Sequence, residues 1–285
     1  PHSDKFVVAD GAVVFTDKLG RDVSISQKPQ RVIILDYNAL DLWYHAGGTA
    51  VGRTGHILVD SRADEDEMGS EIKNVPIMNE AHDPVNIEMI VAQEPDLIII
   101  SHPNKTHLEA VESFEQYNIP YFAWDYDDFD GFIENLELFT LLNDRGDLYE
   151  KYASDNIIRV NAVREKISGQ EPVTMVMLLP HATNGIYALA NSGYLGNLCE
   201  DMNLENIAGV ETSTVVSIES LLDIDPEWIF SRGGSGDGSE ANAKAIFESY
   251  PLWSELTAVK EGRFQHLPAE LFLYHANTRY ADAYE

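Results

Sequence analysis

One stretch of this 285-residue chain is echoed, with changes, later in the sequence. Ile87-Glu88-Met89-Ile90 leads to Glu94-Pro95-Asp96-Leu97-Ile98-Ile99, and Ile218-Glu219-Ser220-Leu221 leads to Asp225-Pro226-Glu227-Trp228-Ile229-Phe230. Each copy reads as a helix, an acid-Pro-acid turn that the helix cannot cross, and an apolar strand. A strand apolar on both faces needs helices over both faces of its sheet. Two such strands, far apart in sequence, predict two similar α/β halves.

Between the copies the periodicity predicts a long helix over residues 147–168, with Leu148, Tyr152, Ile157, Ile158, Val160, Val163 and Ile167 on its apolar stripe. Gly169 ends it and Pro172 bars its continuation. About 22 residues of helix span about 33 Å, enough for a stiff strut. Before it, strand-like runs at 31–35, 50–52, 75–78, 97–100 and 121–124 alternate with helical runs at 40–46, 86–93, 106–117 and 132–142. After it come a strand at 173–179, helices at 195–202 and 218–222, a strand at 226–230, a helix at 241–247 and a strand at 263–267. Runs 6–8 and 12–15 form a hairpin about Asp10-Gly11. The expected fold is α/β: two Rossmann-like lobes with mostly parallel sheets, joined by one long backbone helix, with the ligand cleft between the lobes. The N-terminal lobe is 1–143, the linking helix 144–169 and the C-terminal lobe 170–285.

Composition narrows the function. There are 48 acidic and 19 basic residues, a net charge of −29. That balance disfavours nucleic acid, whose phosphates need Lys and Arg, and anionic lipid. The single Cys199 excludes an intrachain disulfide and a thiolate metal cluster.

Four segments carry a family resemblance. They are Phe15-Thr-Asp17-Lys-Leu-Gly20-Arg21-Asp-Val23 followed by Lys28-Pro29-Gln-Arg31-Val32; the two repeated motifs; and Leu252-Trp253…Leu256…Ala258-Val259-Lys260-Glu261-Gly262-Arg263. With these the chain resembles, over nearly its whole length, the class III (helical-backbone) substrate-binding proteins of ABC importers for siderophores, haem and cobalamin. Asp36-Tyr37-Asn38-Ala39-Leu40-Asp41 is similar to the segment after the first strand in several ferric-siderophore binders. The resemblance implies a non-enzymatic monomer, cell-surface lipoprotein or periplasmic, that binds an iron complex and hands it to an ABC permease. It also implies that one surface glutamate per lobe, Glu88 and Glu219, docks on the permease. The family's lipobox cysteine is not seen, so any lipid anchor is an inference, and the start at Pro1 is expected to reflect processing or trimming.

In open α/β sheets ligands bind beyond the carboxyl ends of the strands. That rule selects Tyr37, Asn38, Arg53, His56, Glu80, His82, His102, Trp124 and Tyr126 in the first lobe, and His181, Tyr187, Arg232, Tyr274 and His275 in the second. Arg53 and Arg232 would grip anionic oxygens through planar guanidinium groups. Trp124 and Tyr126 would form a stacking wall. His82, His181, Tyr274 and His275 are the candidates to touch metal, only through a bound iron complex. No intrinsic cofactor is expected; the ligand is a ferric siderophore, with haem or cobalamin as the alternative. An α/β metalloenzyme or a free metal or oxyanion binder ranks below both, since Gly233–Gly238 lacks phosphate-loop spacing and no H-E-x-x-H occurs.

Overall fold

The computed structural model describes residues 4–56, 67–80, 83–233, 239–273 and 275–285. The chain divides into two compact units. Unit 1 comprises residues 1–126 and 130–154, and unit 2 residues 127–129 and 155–285.

Unit 1 opens with an antiparallel sheet of β1 (Val7–Ala9), β2 (Ala12–Thr16) and β3 (Asp22–Ser26). Asp10 and Gly11 both take positive φ at the β1–β2 turn, as expected of an Asp-Gly hairpin. Then follow β4 (Val32–Ile34), α1 (Tyr37–His45), β5 (Gly52–Gly55), α2 (Glu67–Lys73), β6 (Ile77–Glu80), α3 (Ile87–Ala92), β7 (Leu97–Ser101), α4 (Lys105–Gln116), β8 (Tyr121–Trp124) and α5 (Phe129–Leu142). The five strands β4–β8 form one sheet in the order β6-β5-β4-β7-β8, with every neighbouring pair parallel. This is the doubly wound order, which reverses direction between β4 and β7. Ile33, Ile98 and Ile100 pack on one face with Ile90 of α3 and Phe114 of α4. On the other, Phe122 and Trp43 meet the ring of Phe139 in α5. Each fully buried Ile or Leu contributes about 1.5–3 kcal/mol, so covering both faces explains why β7 is wholly apolar up to Ser101.

α6 (Gly146–Ile167) runs unbroken across the boundary between the units, which falls at residues 154 and 155. Ala153, Asn156 and Val160 are its most buried positions. Ile158 is a correction to the expected stripe, because it is 69% exposed. Asn156 takes the inward position, where its amide donates to Thr278 O at 2.9 Å and accepts from Ala281 N at 2.7 Å.

Unit 2 continues with β9 (Val173–His181), β10 (Gly185–Ala188), α7 (Gly193–Asp201), β11 (Leu204–Asn206), β12 (Thr214–Val216), α8 (Ile218–Ile224), β13 (Trp228–Arg232), α9 (Glu240–Glu248), α10 (Thr257–Lys260), β14 (Phe264–Leu267), α11 (Ala269–Phe272) and α12 (Tyr280–Tyr284). β9, β13 and β14 are parallel neighbours, and β11 pairs parallel with the start of β9. The end of β9 instead turns back through Gly185, at φ +93°, into antiparallel β10, which pairs antiparallel with β12. The architecture is mixed α/β with parallel sheets in two lobes, and the antiparallel half of this second sheet adds to the expected pattern. Among the described residues no helix is long and apolar enough to cross a membrane.

Candidate functional site

Because β4 to β8 are parallel, the residues that follow them share one edge of the unit 1 sheet. Asp36 caps α1 by accepting Ala39 N–H at 3.0 Å, which sets Tyr37 in the first helical turn beside this edge. The Tyr37 ring stacks on His56 with centroids 4.9 Å apart at 25°. Asn38 is half-buried. Glu80 ends β6 opposite Gly55. A Cβ on Gly55 would lie 2.3 Å from Glu80 Oε2, so the missing side chain is what lets the carboxylate lie over β5. His102 is exposed, and its backbone N–H donates to Trp124 O at 3.0 Å, prolonging the β7–β8 ladder.

Three of the expected ligand contacts take other roles. Arg53 is 2% exposed and donates to Thr54 O at 2.9 Å and Lys73 O at 3.2 Å, which holds α2 to the sheet. Trp124 and Tyr126 are 3% and 4% exposed. Their rings pack on each other and on Phe139 and Phe132 of α5, so they belong to the core and form no exposed stacking wall. His82 and Tyr274 lie outside the described residues.

At the matching edge of unit 2, His181 is exposed, and its Nδ1 accepts from Thr183 N at 3.3 Å and Asn184 N at 3.2 Å, closing the β9–β10 turn. Tyr187 sits in β10 between Leu179 and Val215. Arg232 ends β13 and donates from Nη1 to Gly233 O at 3.4 Å. His275 lies against the Tyr194 ring, 5.1 Å between centroids, with Nε2 3.6 Å from Asp127 Oδ1. Burial pushes the Tyr194 hydroxyl pKa up, and that hydroxyl donates to Leu271 O at 2.8 Å. Among the described residues no three His, Cys, Asp or Glu side chains gather as a metal ion would require.

Sequence reasoning missed His107, which is 0% exposed in α4. Its Nδ1 accepts Ser101 N–H at 3.1 Å, fixing the tip of β7, and burial pushes its pKa down to about 4. Ser-His spacing across a strand-helix turn was the available signal. Asn79, which the strand-end rule also selects, is 6% exposed at the end of β6.

The repeated motif is the same device in both units. Asn86 and Ser217 cap their helices by accepting from Met89 N and Ser220 N. Glu88 and Glu219 stand exposed in the first turns, while Ile90 and Leu221 are buried. Glu94 and Asp225 then take left-handed φ of 47° and 42°. Finally Asp96 accepts Arg31 N–H at 2.9 Å, and Glu227 accepts Thr174 N–H at 3.0 Å, pinning each strand to its neighbour.

Comparison with known proteins agrees with this architecture. Residues 32–271 match the periplasmic binding protein family. A vitamin B12-binding protein of Vibrio campbellii is 25% identical over 229 residues, covering 78% of this chain and 79% of its own. A Fe(3+)-citrate-binding protein of Bacillus subtilis is 25% identical over 264 residues, covering 88% and 76%. The solved siderophore periplasmic binding protein of Thermobifida fusca superposes with a TM-score of 0.67 at 20% identity, covering 91% of this chain and 98% of that one.

Proposed function

The chain belongs to the periplasmic binding protein family, and on that premise we propose that it is the extracytoplasmic substrate-binding protein of an ABC importer, carrying a ferric-siderophore-type iron complex to the permease. The observation that carries this reading is the duplicated unit: each has a parallel-strand edge suited to a ligand and one exposed glutamate on the first turn of its repeated helix. A carrier needs those two surfaces and no bond-making chemistry. The Bacillus subtilis relative's name supports an iron complex.

In this role the candidate ligand contacts are Tyr37, Asn38, His56, Glu80 and His102 at the strand edge of unit 1, and His181, Tyr187, Arg232 and His275 in unit 2, each set read within its own unit. The iron complex is cargo, and no resident cofactor is needed. Glu88 and Glu219 dock on basic side chains of the permease. A corrinoid is the second reading, favoured by the vitamin B12-binding relative.

Titration with ferric siderophores, haemin and cobalamin, followed by absorbance and tryptophan quenching, tests capture. Charge reversal at Glu88 and Glu219 together should abolish uptake in cells while leaving ligand affinity within about twofold, since neither lies among the ligand contacts. Retained uptake would remove the docking role.

A further inference from the structure

We infer that a cavity in unit 1, apart from the strand-end residues assigned to the iron complex, binds a small organic carboxylate with an apolar body. The cavity lies between the N-terminal sheet and α5 and measures about 260 Å³. That is just under the roughly 300–1,000 Å³ of sites for drug-sized molecules, so its occupant is small. The walls are largely apolar. Phe6 lies edge-on to Phe15 with centroids 6.1 Å apart, and Leu138 of α5 and the Trp124 indole complete them. Phe15 and Trp124 belong to one ring cluster through Phe122 and Phe139, so both side chains reach the cavity from the same side of β8. None of Tyr37, Asn38, His56, Glu80 and His102 borders it.

Among the described residues four ionisable side chains border the cavity, and their pairing leaves one positive charge over. Asp17 is fully shielded from solvent and engaged by Arg21 and by the backbone N–H groups of Leu19, Arg21 and Ala123. Glu134 is held by Lys5. Lys18 is exposed, and its ammonium meets no partner among the described residues. Its backbone N–H donates to Ala123 O at 3.1 Å, which fixes it beside β8. Asp4, Asp22, Asp125 and Asp130 are close in sequence but do not border the cavity, and Asp22 accepts from Thr16 Oγ1 at 2.8 Å. A second observation points the same way. Trp124 is 3% exposed, and its indole Nε1–H, shielded from solvent, finds no acceptor among the described residues. An indole nitrogen can only donate, and a buried one normally has a partner. A carboxylate held by Lys18, with its body against Phe6 and Phe15, brings that acceptor into the cavity. One unpaired ammonium matches one negative charge, and the rings favour an apolar body over a bare inorganic anion.

The test follows the indole N–H signals of the isotope-labelled full chain by NMR at about pH 7, where a carboxylate is ionised. The signals come from Trp43, Trp124, Trp228 and Trp253, and Trp124→Phe identifies its own by loss. The probes are sodium benzoate, benzamide (neutral and of the same shape) and inorganic phosphate, with sodium chloride holding the ionic strength constant. Benzoate should move the Trp124 signal saturably and more than the other three, with a Kd of about 1 mM or tighter. Benzamide and phosphate should each bind at least about threefold more weakly. Lys18→Met, at an exposed position and checked for an unchanged melting temperature, should weaken benzoate about three- to tenfold and leave benzamide as it was. A Trp124 signal that benzoate leaves in place, or that chloride alone moves as far, overturns the inference. So does benzamide or phosphate binding as tightly as benzoate, or benzoate binding indifferent to Lys18→Met. Each of these outcomes leaves the carrier reading standing, because the cavity shares no residue with the ligand contacts proposed for it.

Discussion

Replacing Asp17 by Asn should loosen unit 1 at the turn before β3. The Asp17 side chain is fully shielded from solvent. Its Oδ1 accepts the N–H groups of Leu19 and Arg21 at 2.9 and 3.1 Å. Its Oδ2 accepts Arg21 Nε and Nη2 at 3.2 and 2.6 Å and Ala123 N–H, in β8, at 3.2 Å. The Arg21 guanidinium in turn lies 4.0 Å over the Tyr121 ring. One carboxylate thus joins the turn to the edge of the sheet. Asn can keep the first two bonds but turns an N–H toward Arg21 and Ala123. Breaking a buried ion pair costs about 3–5 kcal/mol, and a hydrogen bond to a charged group is worth about 1.5–3 kcal/mol. Arg21 is 33% exposed and regains water, so the low end applies, about 3 kcal/mol.

The assay is thermal unfolding followed by near-UV circular dichroism. Two units need not melt together, so the first transition is read, and it should fall by roughly 6–12 °C at pH 7. Burial opposes the charge on Asp17, but the bonds from Arg21 and Ala123 more than offset it and hold the carboxyl below its usual pKa. A lowered folded pKa means the stabilisation is complete above the unfolded value and is lost as pH falls through the folded one. The gap between wild type and Asp17→Asn should therefore hold from neutral pH to about pH 5 and close below about pH 4. A shift under about 1 °C, or a gap that grows on acidification, would refute the reasoning.

Asn156→Ala strips Thr278 O and Ala281 N–H of their partner and should cost unit 2 about 2–3 kcal/mol, measured by urea unfolding. His107 is neutral at pH 7, since burial lowers its pKa to about 4, and its imidazole proton signals should not titrate by NMR above about pH 5. Because the unfolded chain protonates first, His107 should reduce stability as pH falls from about 6.5 toward 4, and His107→Asn should lose less stability at pH 7 than His107→Ala by keeping an acceptor for Ser101. Burial pushes the Cys199 thiol up to about 12, so iodoacetamide at pH 8 should label it only after unfolding in urea, as read by mass spectrometry.

Apolar periodicity located most elements of the fold. The residues of β8 and most of α6 coincide with the runs that predict them, because a buried strand and a long helix each impose one dominant spacing. β10, β11 and β12 were missed because four- and three-residue strands hold too few positions for alternation to show. The Asn184-Gly185 pair was the usable sign of the β9–β10 hairpin. α2 was also missed, and the misplacement of Arg53 follows from that. Sequence places a cation near a strand end, but its destination depends on Lys73 O, at the end of the unassigned helix. Trp124 and Tyr126 went wrong in a similar way: a strand end locates the backbone, while the rings of α5 decide where the aromatics turn.

The duplicated motif carries information about orientation as well as fold. Glu94 and Asp225 reverse the chain in left-handed conformations, and Asp96 and Glu227 then bind backbone N–H groups beside the neighbouring strand. Each turn therefore marks the amino end of a central strand, β7 or β13. The helix before it must begin at the opposite, carboxyl edge of its sheet, because helix and strand run antiparallel across a short connection. Glu88 and Glu219 occupy the first turns of those helices. In each unit, then, the glutamate proposed to dock starts from the same sheet edge as the strand ends proposed to face the ligand. Moving that glutamate to the last helical turn, as in Glu88→Ala with Ala92→Glu, would keep the charge and the helix but present it at the wrong end. Uptake should fail while ligand binding remains, and normal uptake would mean that charge alone, not its place on the fold, serves the permease.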